Sequence, residues 1–385
     1  MYNRIYLDHA ATTPVSEPVL ATMMPFFRDQ PGNASSVYGT GRDSRKAIEF
    51  ARKQVAAAIG AEAGEIVFTS GGSESDNLAV KGTAFALKSR GNHIITSSIE
   101  HPAVMNTCRW LEKMGFEVSY VRPDHQGIID PDTIRALIRK ETILISIMTA
   151  NNEIGSIEPV NKIGEIAREA DVTFHTDAVQ AVGSIPVNVK DMNTDLLSLS
   201  AHKFFGPKGA GALYVRRGTK LCNLIHGGAQ ERGLRAGTEN VPAIAGLGKA
   251  IELAVDHLAE NTEKIRILRD HLICGILELI PGSSLNGPAK EARLANNCNV
   301  AFSGIDGEAL LLRLDLAGIA ASSGSACTSG SQEISHVLTA IGLTREQAGG
   351  SIRLTTGPEN TEEEIQETIS ILKDVVTDLR LMSMP

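Results

Sequence analysis

The stretch VTFHTDAVQAVG (residues 172–183), followed by DLLSLSAHKFFGPKGAG (residues 195–211), decides the fold. Its first part predicts a buried strand that ends on a carboxylate, and its second part predicts a short apolar strand that runs into a Gly-Pro turn. Ligands of α/β sheets lie beyond strand ends, where side chains face a crevice instead of the core. We therefore expect one crevice to be lined by Asp177, Gln180, Ser200, His202 and Lys203.

Lys203 is the reactive residue of this set. A lysine that closes an apolar strand can have its amine pKa lowered by desolvation and by neighbouring positive charge, and a neutral amine condenses with a carbonyl group. Each residue of the set, taken alone, is more simply explained as a solvated strand-end residue. Together they supply what a Schiff base with pyridoxal 5'-phosphate needs, so the set predicts that cofactor.

The composition is that of a globular protein with no sign of a nucleic-acid or membrane partner. The chain has 385 residues, 42% hydrophobic and 21% charged, which allows two domains. Its net charge of −8, without a basic run, argues against direct nucleic-acid binding. We expect a cytoplasmic protein, since the sequence lacks a signal-peptide pattern and a membrane-spanning apolar run. Five cysteines without a CxxC pair predict neither a disulfide framework nor a metal site.

Seven apolar strand patterns alternate with helical patterns between residues 65 and 216. This alternation predicts an α/β fold with a mainly parallel, seven-stranded sheet covered on both faces. A long helical pattern and further strand patterns then predict a smaller α+β domain. We expect a large cofactor-binding domain of residues 15–250 and a small domain formed by residues 1–14 and 251–385.

The segment SGGSESDN (residues 70–77) lies between a predicted strand and a helix that we expect from about Asn77. Small residues let backbone N–H groups approach an anion, and a helix N-terminus favours negative charge. Gly72 and Ser73 therefore suit a phosphate. A plain helix cap is the alternative explanation.

Two further residues carry side chains that suit cofactor or substrate chemistry. His101 follows another strand pattern, where an imidazole can lie on a flat ring and move protons, or can instead cap the helix that begins at Pro102. Arg353 lies on a short strand pattern and can bind a carboxylate with its guanidinium fork. A surface ion pair is the alternative for Arg353.

Cys327 differs from the other cysteines because small polar residues surround it in SSGSACTSGSQ (residues 322–332). A thiol on such a loop is accessible and reactive, whereas a core thiol is not. The four cysteines that we expect to be packing residues are Cys108, Cys222, Cys274 and Cys298.

The chain resembles the cysteine desulfurases of the NifS/IscS type. The resemblance is carried, in order, by YLDHAATTP, GNASSVYG, FTSGGSESDN, EHPAV, NNEIG, HTDAVQ, SAHKFFGPKG, RAGTENV, SSGSACTSG and SIRLTTG. These enzymes belong to the class V aminotransferase family of fold-type I pyridoxal phosphate enzymes, and the Cys327 loop looks like the longer form of group I. The resemblance therefore implies a fold-type I transferase architecture.

The resemblance also implies a role for each matched residue. Lys203 would hold the cofactor covalently, His101 would stack on its ring and move protons, and Cys327 would take the sulfur as a persulfide. The implied cofactor contacts come from Gly72, Ser73, Asn152, Asp177, Gln180, Ser200 and His202, and from Thr238 of the neighbouring subunit. The implied substrate contacts come from Asn33, Asn152 and Arg353.

The implied reaction converts L-cysteine to L-alanine in a homodimer and passes the sulfur to an acceptor protein, either in iron–sulfur cluster assembly or in tRNA thiolation. Two alternatives stay open: a selenocysteine lyase or another class V aminotransferase or lyase, and a non-catalytic sulfur-carrier platform. An aminotransferase has no use for the Cys327 thiol. A platform would not need Lys203, Asp177, Gln180 and His101 together.

Overall fold

The computed structural model describes residues 4–323 and 334–382, in which strands and helices alternate along the chain. The strands are β1 Ile5–Tyr6, β2 Ile66–Thr69, β3 His93–Ser97, β4 Glu117–Val121, β5 Thr142–Ser146, β6 Thr173–Asp177, β7 Leu196–Ser200, β8 Gly211–Val215, β9 Ser283–Leu285, β10 Asn297–Phe302, β11 Ile319–Ala320 and β12 Ser351–Thr355. The α-helices are α1 Glu17–Arg28, α2 Gly39–Ile59, α3 Gly72–Ala86, α4 Pro102–Lys113, α5 Pro131–Leu137, α6 Val160–Glu169, α7 Val241–Asp256, α8 Leu258–Leu279, α9 Gly307–Leu316, α10 His336–Ala340, α11 Arg345–Gly349 and α12 Glu362–Met382. Within those ranges no helix combines enough length with enough apolarity to cross a membrane.

A seven-stranded sheet forms the centre of the molecule, with the order β2-β8-β7-β6-β5-β3-β4. Only β8 among these strands runs against the others, so the predicted mainly parallel sheet is confirmed. Every residue of β3, β5 and β7 is buried. Continuous burial follows from helices on both faces, and it explains why these strands are apolar without alternation.

Helices on the two faces bury separate apolar layers against this sheet. On one face, α2, α6 and α7 contribute Val55, Ile163 and Leu247 to the largest apolar cluster. On the other face, α3 and α4 contribute Val80 and Leu111 to a second cluster. Because both faces are closed, only the ends of the strands are open to a ligand.

A smaller unit with its own core follows the large sheet. Its antiparallel sheet has the order β12-β10-β9, and α8, α9 and α12 pack with it around Leu272, Phe302 and Ile369. Strand β1 belongs to this unit, since it pairs in parallel with β11 and since Leu7 lies in the same core. The domain limits at residues 14 and 250 stay a prediction, and residue 250 lies inside α7.

Two local predictions differ from the structure. Helix α3 begins at Gly72 and not near Asn77, because Gly71 takes a φ of 151° that turns the chain directly from β2 into the helix. Cys108 and Cys298 are buried as predicted and Cys222 is half-buried, but Cys274 is exposed. On α8 the buried face contains Leu272 and Ile276, and Cys274 lies on the opposite, exposed face.

A buried ion pair ties α2 to the glycine-rich segment after β8. The guanidinium of Arg52 donates to both carboxylate oxygens of Glu231, at 2.7 and 2.8 Å, and the backbone N–H of Phe68 donates to the same carboxylate at 2.9 Å. The side chains of Arg52 and Glu231 are 4% and 3% exposed. If one partner is removed, water therefore cannot solvate the charge that remains.

We expect Arg52→Met to lower the free energy of unfolding by about 3 to 5 kcal/mol, because it leaves the Glu231 carboxylate buried without its cation. The measurement is denaturant unfolding followed by circular dichroism. The control is Arg266→Met, which removes an exposed pair with Glu263 and should leave the transition unchanged. Equal midpoints for the Arg52 variant and the wild type would contradict the expectation.

Candidate active site

A cavity of about 370 Å³ lies at the carboxyl ends of the parallel strands. The predicted site residues that line it are Gly72, Ser73, His101, Asn152, Asp177, Gln180, Ser200, His202, Lys203 and Arg353. Strands β6 and β7 bring Asp177 and Ser200 to the cavity, since parallel strands end at the same edge of a sheet. The crevice expected from residues 172–211 therefore exists in the fold.

The amine of Lys203 is held by the chain that follows β1. Its Nζ donates to the carbonyl oxygens of Ala10 and Ala11, at 2.6 and 2.8 Å. The side-chain amide of Gln180 donates to the same Ala10 oxygen at 2.9 Å. The backbone N–H of Thr13 also donates to the carbonyl of His202 at 2.9 Å. Hydrogen bonds to the chain after β1 thus hold the turn Ala201–Lys203 in place.

Two carboxyl groups lie on the floor of this cavity. Burial raises the pKa of Asp177 to about 6, although a hydrogen bond from the N–H of Val179, at 2.9 Å, and the charge of Lys203 oppose the shift. Asp177 is therefore mainly ionised at neutral pH. Burial, and then the charge of Asp177, raise the pKa of Asp76 well above its ordinary value. Among the described residues Asp76 Oδ1 has no hydrogen-bond partner.

His101 caps α4, as one of its two alternative predictions states, and it also lines the cavity, while its stacking and proton-transfer role stays a prediction. Its Nδ1 accepts the N–H of Ala103 at 3.1 Å and so caps α4, while its ring lines the cavity. Burial, then the charges of Lys203 and His336, lower the pKa of His101 to about 4. The ring is neutral at pH 7, and because Nδ1 accepts, its proton is on Nε2. One ligand atom from each of His101, Asp76 and Asp177 lies within 4.8 Å of the others.

The other end of the cavity suits an anion. The first turn of α3 points its N–H dipoles at this end, and the hydroxyls of Ser73 and Ser200 line it. A Cβ on Gly72 would lie 2.7 Å from Cγ2 of Val179, so a larger residue there would have to displace the Val179 side chain. His202 closes this end, and burial, joined by the charges of Lys203 and Lys208, lowers its pKa to about 4. The donor set matches what a phosphate group requires.

Arg353 lies in the cavity wall and not on the surface, so the alternative of a surface ion pair is wrong. Only 1% of the residue is exposed. Its Nη1 donates to the carbonyl of Asn152 at 2.9 Å, and its Nη2 pairs with Asp8 at 2.8 Å. Its Nε is buried and has no hydrogen-bond partner among the described residues. A buried guanidinium with a donor to spare is suited to a carboxylate ligand.

Two predicted residues do not line this cavity, and a third lies outside the described residues. Asn33 is exposed, and its side-chain oxygen accepts the N–H of Ser35 at 2.9 Å. Thr238 is exposed on the glycine-rich segment after β8. Cys327, the predicted nucleophile, lies outside the described residues. The roles predicted for these three residues stay predictions.

The cavity also contains ionisable residues that sequence reasoning missed. Asp76, Glu153 and His336 line it, and Asp8 holds Arg353 from behind. Its place inside the quoted motif NNEIG could have indicated Glu153 as a site residue. Its contact with Ser335 could not be predicted, because the two residues are far apart in sequence. Asp76 lies one helical turn after Gly72 and Ser73 on α3, so helical spacing from the phosphate segment was its signal.

Glu100 is a buried carboxyl directly before His101. Its Oε1 accepts the hydroxyl of Ser97 at 2.6 Å and the N–H of Met148 at 3.0 Å, whereas its Oε2 has no partner among the described residues. Burial raises the pKa of Glu100 from 4.5 to about 8, despite these two hydrogen bonds. The folded protein therefore holds a proton on Glu100 at neutral pH.

Comparison with known proteins gives matches over the whole chain. The aminotransferase class-V family model matches residues 5–368. The cysteine desulfurase IscS of Methanosarcina thermophila is 56% identical over 379 residues, which are 98% of this chain and 93% of the relative. The cysteine desulfurase IscS of Dictyoglomus turgidum is 53% identical over 383 residues, which are 100% of this chain and 97% of the relative.

The fold is also similar to solved structures. A NifS-like protein superposes with a TM-score of 0.92 at 39% identity, covering 98% of this chain and 100% of that one. The likeness thus includes both the large sheet and the smaller unit.

Because Glu100 is protonated only in the folded protein, the free energy of unfolding should depend on pH. Between pH 5 and pH 7.5 the unfolded carboxyl has released its proton, while the folded one keeps it up to a pKa of about 8. The contribution of Glu100 is thus complete at low pH and is lost as pH rises through this window. Relative to Glu100→Gln, the wild type should lose about 1.4 kcal/mol of unfolding free energy per pH unit. Denaturant unfolding of both proteins at pH 5 and pH 7 measures this difference, and parallel pH profiles would contradict it.

Proposed function

The chain belongs to the class-V aminotransferase family and is a cysteine desulfurase, and from this premise we propose that Lys203, Asp177 and Cys327 carry its reaction. One observation supports the proposal most directly. The Lys203 amine, the ionised Asp177 carboxylate and the N-terminus of α3 share one cavity of about 370 Å³. An amine, an acid and a phosphate-binding helix are the three contacts that pyridoxal phosphate requires of a protein.

In the proposed reaction L-cysteine and the Cys327 thiol give L-alanine and a Cys327 persulfide. The bond between Cβ and sulfur of the substrate breaks, a sulfur–sulfur bond forms on Cys327, and Cβ takes up a proton. The substrate carbon is reduced by two electrons and the sulfur pair is oxidised by two, so no further oxidant or reductant takes part. A second thiol on an acceptor protein then receives the outer sulfur atom.

The family implies pyridoxal phosphate as the cofactor, and the residues of the cavity fit it. When bound, it supplies an electron-withdrawing ring that weakens the bonds at Cα and Cβ of an attached amino acid. Lys203 would hold it covalently, Asp177 would accept its ring N–H, and Gln180 would contact its ring hydroxyl. The phosphate would be bound by the N–H of Gly72 with Ser73, Ser200 and His202.

Protonation states in the cavity support these roles. With a pKa of about 6, Asp177 is mainly a carboxylate at neutral pH and can accept a hydrogen bond from a ring nitrogen. His101 has a pKa of about 4 and is neutral, with its proton on Nε2. A neutral imidazole can stack on a flat ring and act as a donor without adding a charge.

We propose that Arg353 binds the carboxylate of the substrate cysteine. Asp8 and the Asn152 carbonyl hold two of its guanidinium nitrogens, which fixes the plane of the group. Asn152 itself lines the cavity and would contact substrate and cofactor. Asn33, which does not line this cavity, would contribute only if its loop lies nearer in the complex with substrate.

We further propose a cytoplasmic homodimer that serves an acceptor protein of iron–sulfur cluster assembly or tRNA thiolation. Apolar side chains on α1 and α2 are unusually exposed, with Phe27 at 60% and Phe50 at 62%, and a second subunit would cover them. Thr238 is exposed away from its own cavity, as a contact to a neighbouring phosphate would require. Four described cysteines are free thiols, in keeping with a reducing compartment.

The amine of Lys203 gives the first test of this proposal. Wild-type protein purified with the cofactor should be yellow, and Lys203→Ala should lack the normal visible absorbance and form no alanine from L-cysteine, because no other amine is proposed to hold the aldehyde. Absorbance spectra and alanine assays measure both effects. A variant with unchanged spectrum and activity would refute the role of Lys203.

The thiol of Cys327 gives the second test. Cys327→Ser should keep the visible absorbance but lose at least about 10³-fold in persulfide formation, because a hydroxyl cannot accept the sulfur. The control is Cys274→Ser, which removes an exposed thiol on α8 and should leave the rate unchanged. Assays with L-cysteine measure alanine together with protein-bound sulfur, with and without reductant.

The same assay distinguishes the proposed reaction from the other candidate functions. Unchanged sulfide release by Cys327→Ser would refute the nucleophile. Alanine without bound sulfur would point to other class V chemistry, and bound sulfur without alanine would point to a carrier.

A further inference from the structure

Glu74 is an acid in the first turn of α3 that the proposed function does not use. It follows Ser73 directly and lines a second cavity of about 450 Å³, which shares Gly72, Ser73 and Ser200 with the cavity described above. Its Oε2 accepts the backbone N–H of Ser70 at 2.8 Å. The carboxylate therefore occupies the N-terminus of α3, where the proposed phosphate would also bind.

Arg235 balances the charge of this carboxylate. The Nε of Arg235 donates to Oε1 of Glu74 at 2.9 Å, and its Nη2 donates to Oε2 at 3.5 Å. The side chains of Arg235 and Glu74 are 25% and 17% exposed, so water screens the pair only weakly. Burial raises the pKa of Glu74, but hydrogen bonds from Arg235 and Ser70 outweigh burial, and the pKa lies below its ordinary value. Glu74 is thus ionised at neutral pH.

The fold fixes the position of Arg235 beside α3. Arg235 belongs to the glycine-rich segment after β8, and the buried pair of Glu231 with Arg52 holds that segment four residues earlier. Leu234, the residue next to Arg235, packs against the apolar cluster that contains Leu78 of α3. The guanidinium is therefore brought to the first turn of α3 by packing and by a buried ion pair.

The charges around the second cavity determine how Arg235 can act on an anion. Among the described residues, the other ionisable groups that line this cavity are His202 and Lys208. Burial, joined by the charges of Lys203 and Lys208, lowers the pKa of His202 to about 4, so its ring is neutral at pH 7. Arg235 itself lines neither cavity, whereas Glu74 lines the second one. Arg235 can therefore act on an anion through the carboxylate that it holds.

We propose that Arg235 is a positioning residue for the cofactor phosphate, which it assists by holding and neutralising the Glu74 carboxylate and not by contact with the phosphate. The inference rests on the proposed function, since it places the phosphate at Gly72 and Ser73. Without Arg235, an unpaired carboxylate would lie in the same helical turn as these phosphate contacts, and like charges repel. Binding of the phosphate would weaken, whereas binding of the ring and the aldehyde would not.

The phosphate contribution is measured by comparing pyridoxal 5'-phosphate with pyridoxal, the same aldehyde without its phosphate. The full chain, freed of cofactor, is titrated with each compound, and visible absorbance gives the two dissociation constants. We expect Arg235→Met to weaken binding of pyridoxal 5'-phosphate at least about tenfold, as an uncompensated like charge in a poorly screened site requires, and to leave binding of pyridoxal unchanged. The ratio of the two constants is the readout, and a merely structural loss would not move it.

Three further variants identify Glu74 as the group through which Arg235 acts. Glu74→Gln should bind pyridoxal 5'-phosphate at least as tightly as the wild type, because it removes a negative charge at nearly constant size. The double variant Glu74→Gln with Arg235→Met should recover most of the lost affinity, since no carboxylate remains to repel the phosphate. Arg235→Lys keeps the positive charge and should lose no more than about threefold.

Arg216 offers a matched control from another part of the large sheet. Its Nε pairs with Asp195 at 3.2 Å, and the two side chains are 31% and 26% exposed, so this pair is about as buried as that of Arg235. Neither residue lines the two cavities. Arg216→Met should leave binding of both compounds unchanged. Thermal unfolding checks that each variant is folded, and if Arg235→Met is not, Arg235→Gln takes its place in the same comparison.

The outcomes separate this inference from the proposed function. A wild type whose visible absorbance responds to neither compound would refute the proposed cofactor site itself. A wild type that binds pyridoxal 5'-phosphate, with an Arg235→Met variant of equal affinity, would overturn only the inference. Equal weakening for both compounds would also overturn it. So would a loss that persists in the double variant, because Arg235 would then act on the phosphate without Glu74.

Discussion

The site depends on one constraint of parallel sheets, which is that their strands all end at the same edge. Strands β6 and β7 run side by side and deliver Asp177 and the Ser200–Lys203 turn to that edge. The helices that follow β2 and β3 begin at the same edge. Gly72 therefore reaches the cavity as the first residue of α3, and His101 reaches it as the N-cap of α4. An acid, an amine, an imidazole and a helix N-terminus meet without any long loop.

Burial gives each of these groups the charge that its role requires. The histidines of the cavity lose their proton because the wall excludes water, and Asp177 keeps its charge because Lys203 and a backbone N–H stabilise it. Burial without such a cation raises the pKa of Glu100 to about 8, so Glu100 stays protonated at neutral pH, and burial also raises the pKa of Asp76 well above its ordinary value. The same desolvation therefore produces neutral imidazole rings and one carboxylate in the cavity, and a neutral acid at Glu100 beside it.

The sequence predicted the sheet and the residues at its strand ends because both follow from local patterns. Apolar runs mark β5, β6 and β7, and polar residues directly after them mark the edge. It could not predict the contact of Arg353 with Asp8 or that of Glu153 with Ser335, since those partners are 345 and 182 residues apart. Nor could spacing show that Cys274 is exposed, because an apolar segment does not reveal which side of α8 faces the core.

The parallel pairing of β1 with β11 has a consequence for synthesis of the chain on the ribosome. Residues Ile5–Tyr6 emerge more than 300 residues before their partners Ile319–Ala320 are made. The smaller unit therefore cannot close its core until these partners have been synthesised, and Leu7 stays unpacked until then. The carbonyls of Ala10 and Ala11 follow the same strand, so the late pairing of β1 also fixes the segment that carries both acceptors of the Lys203 amine.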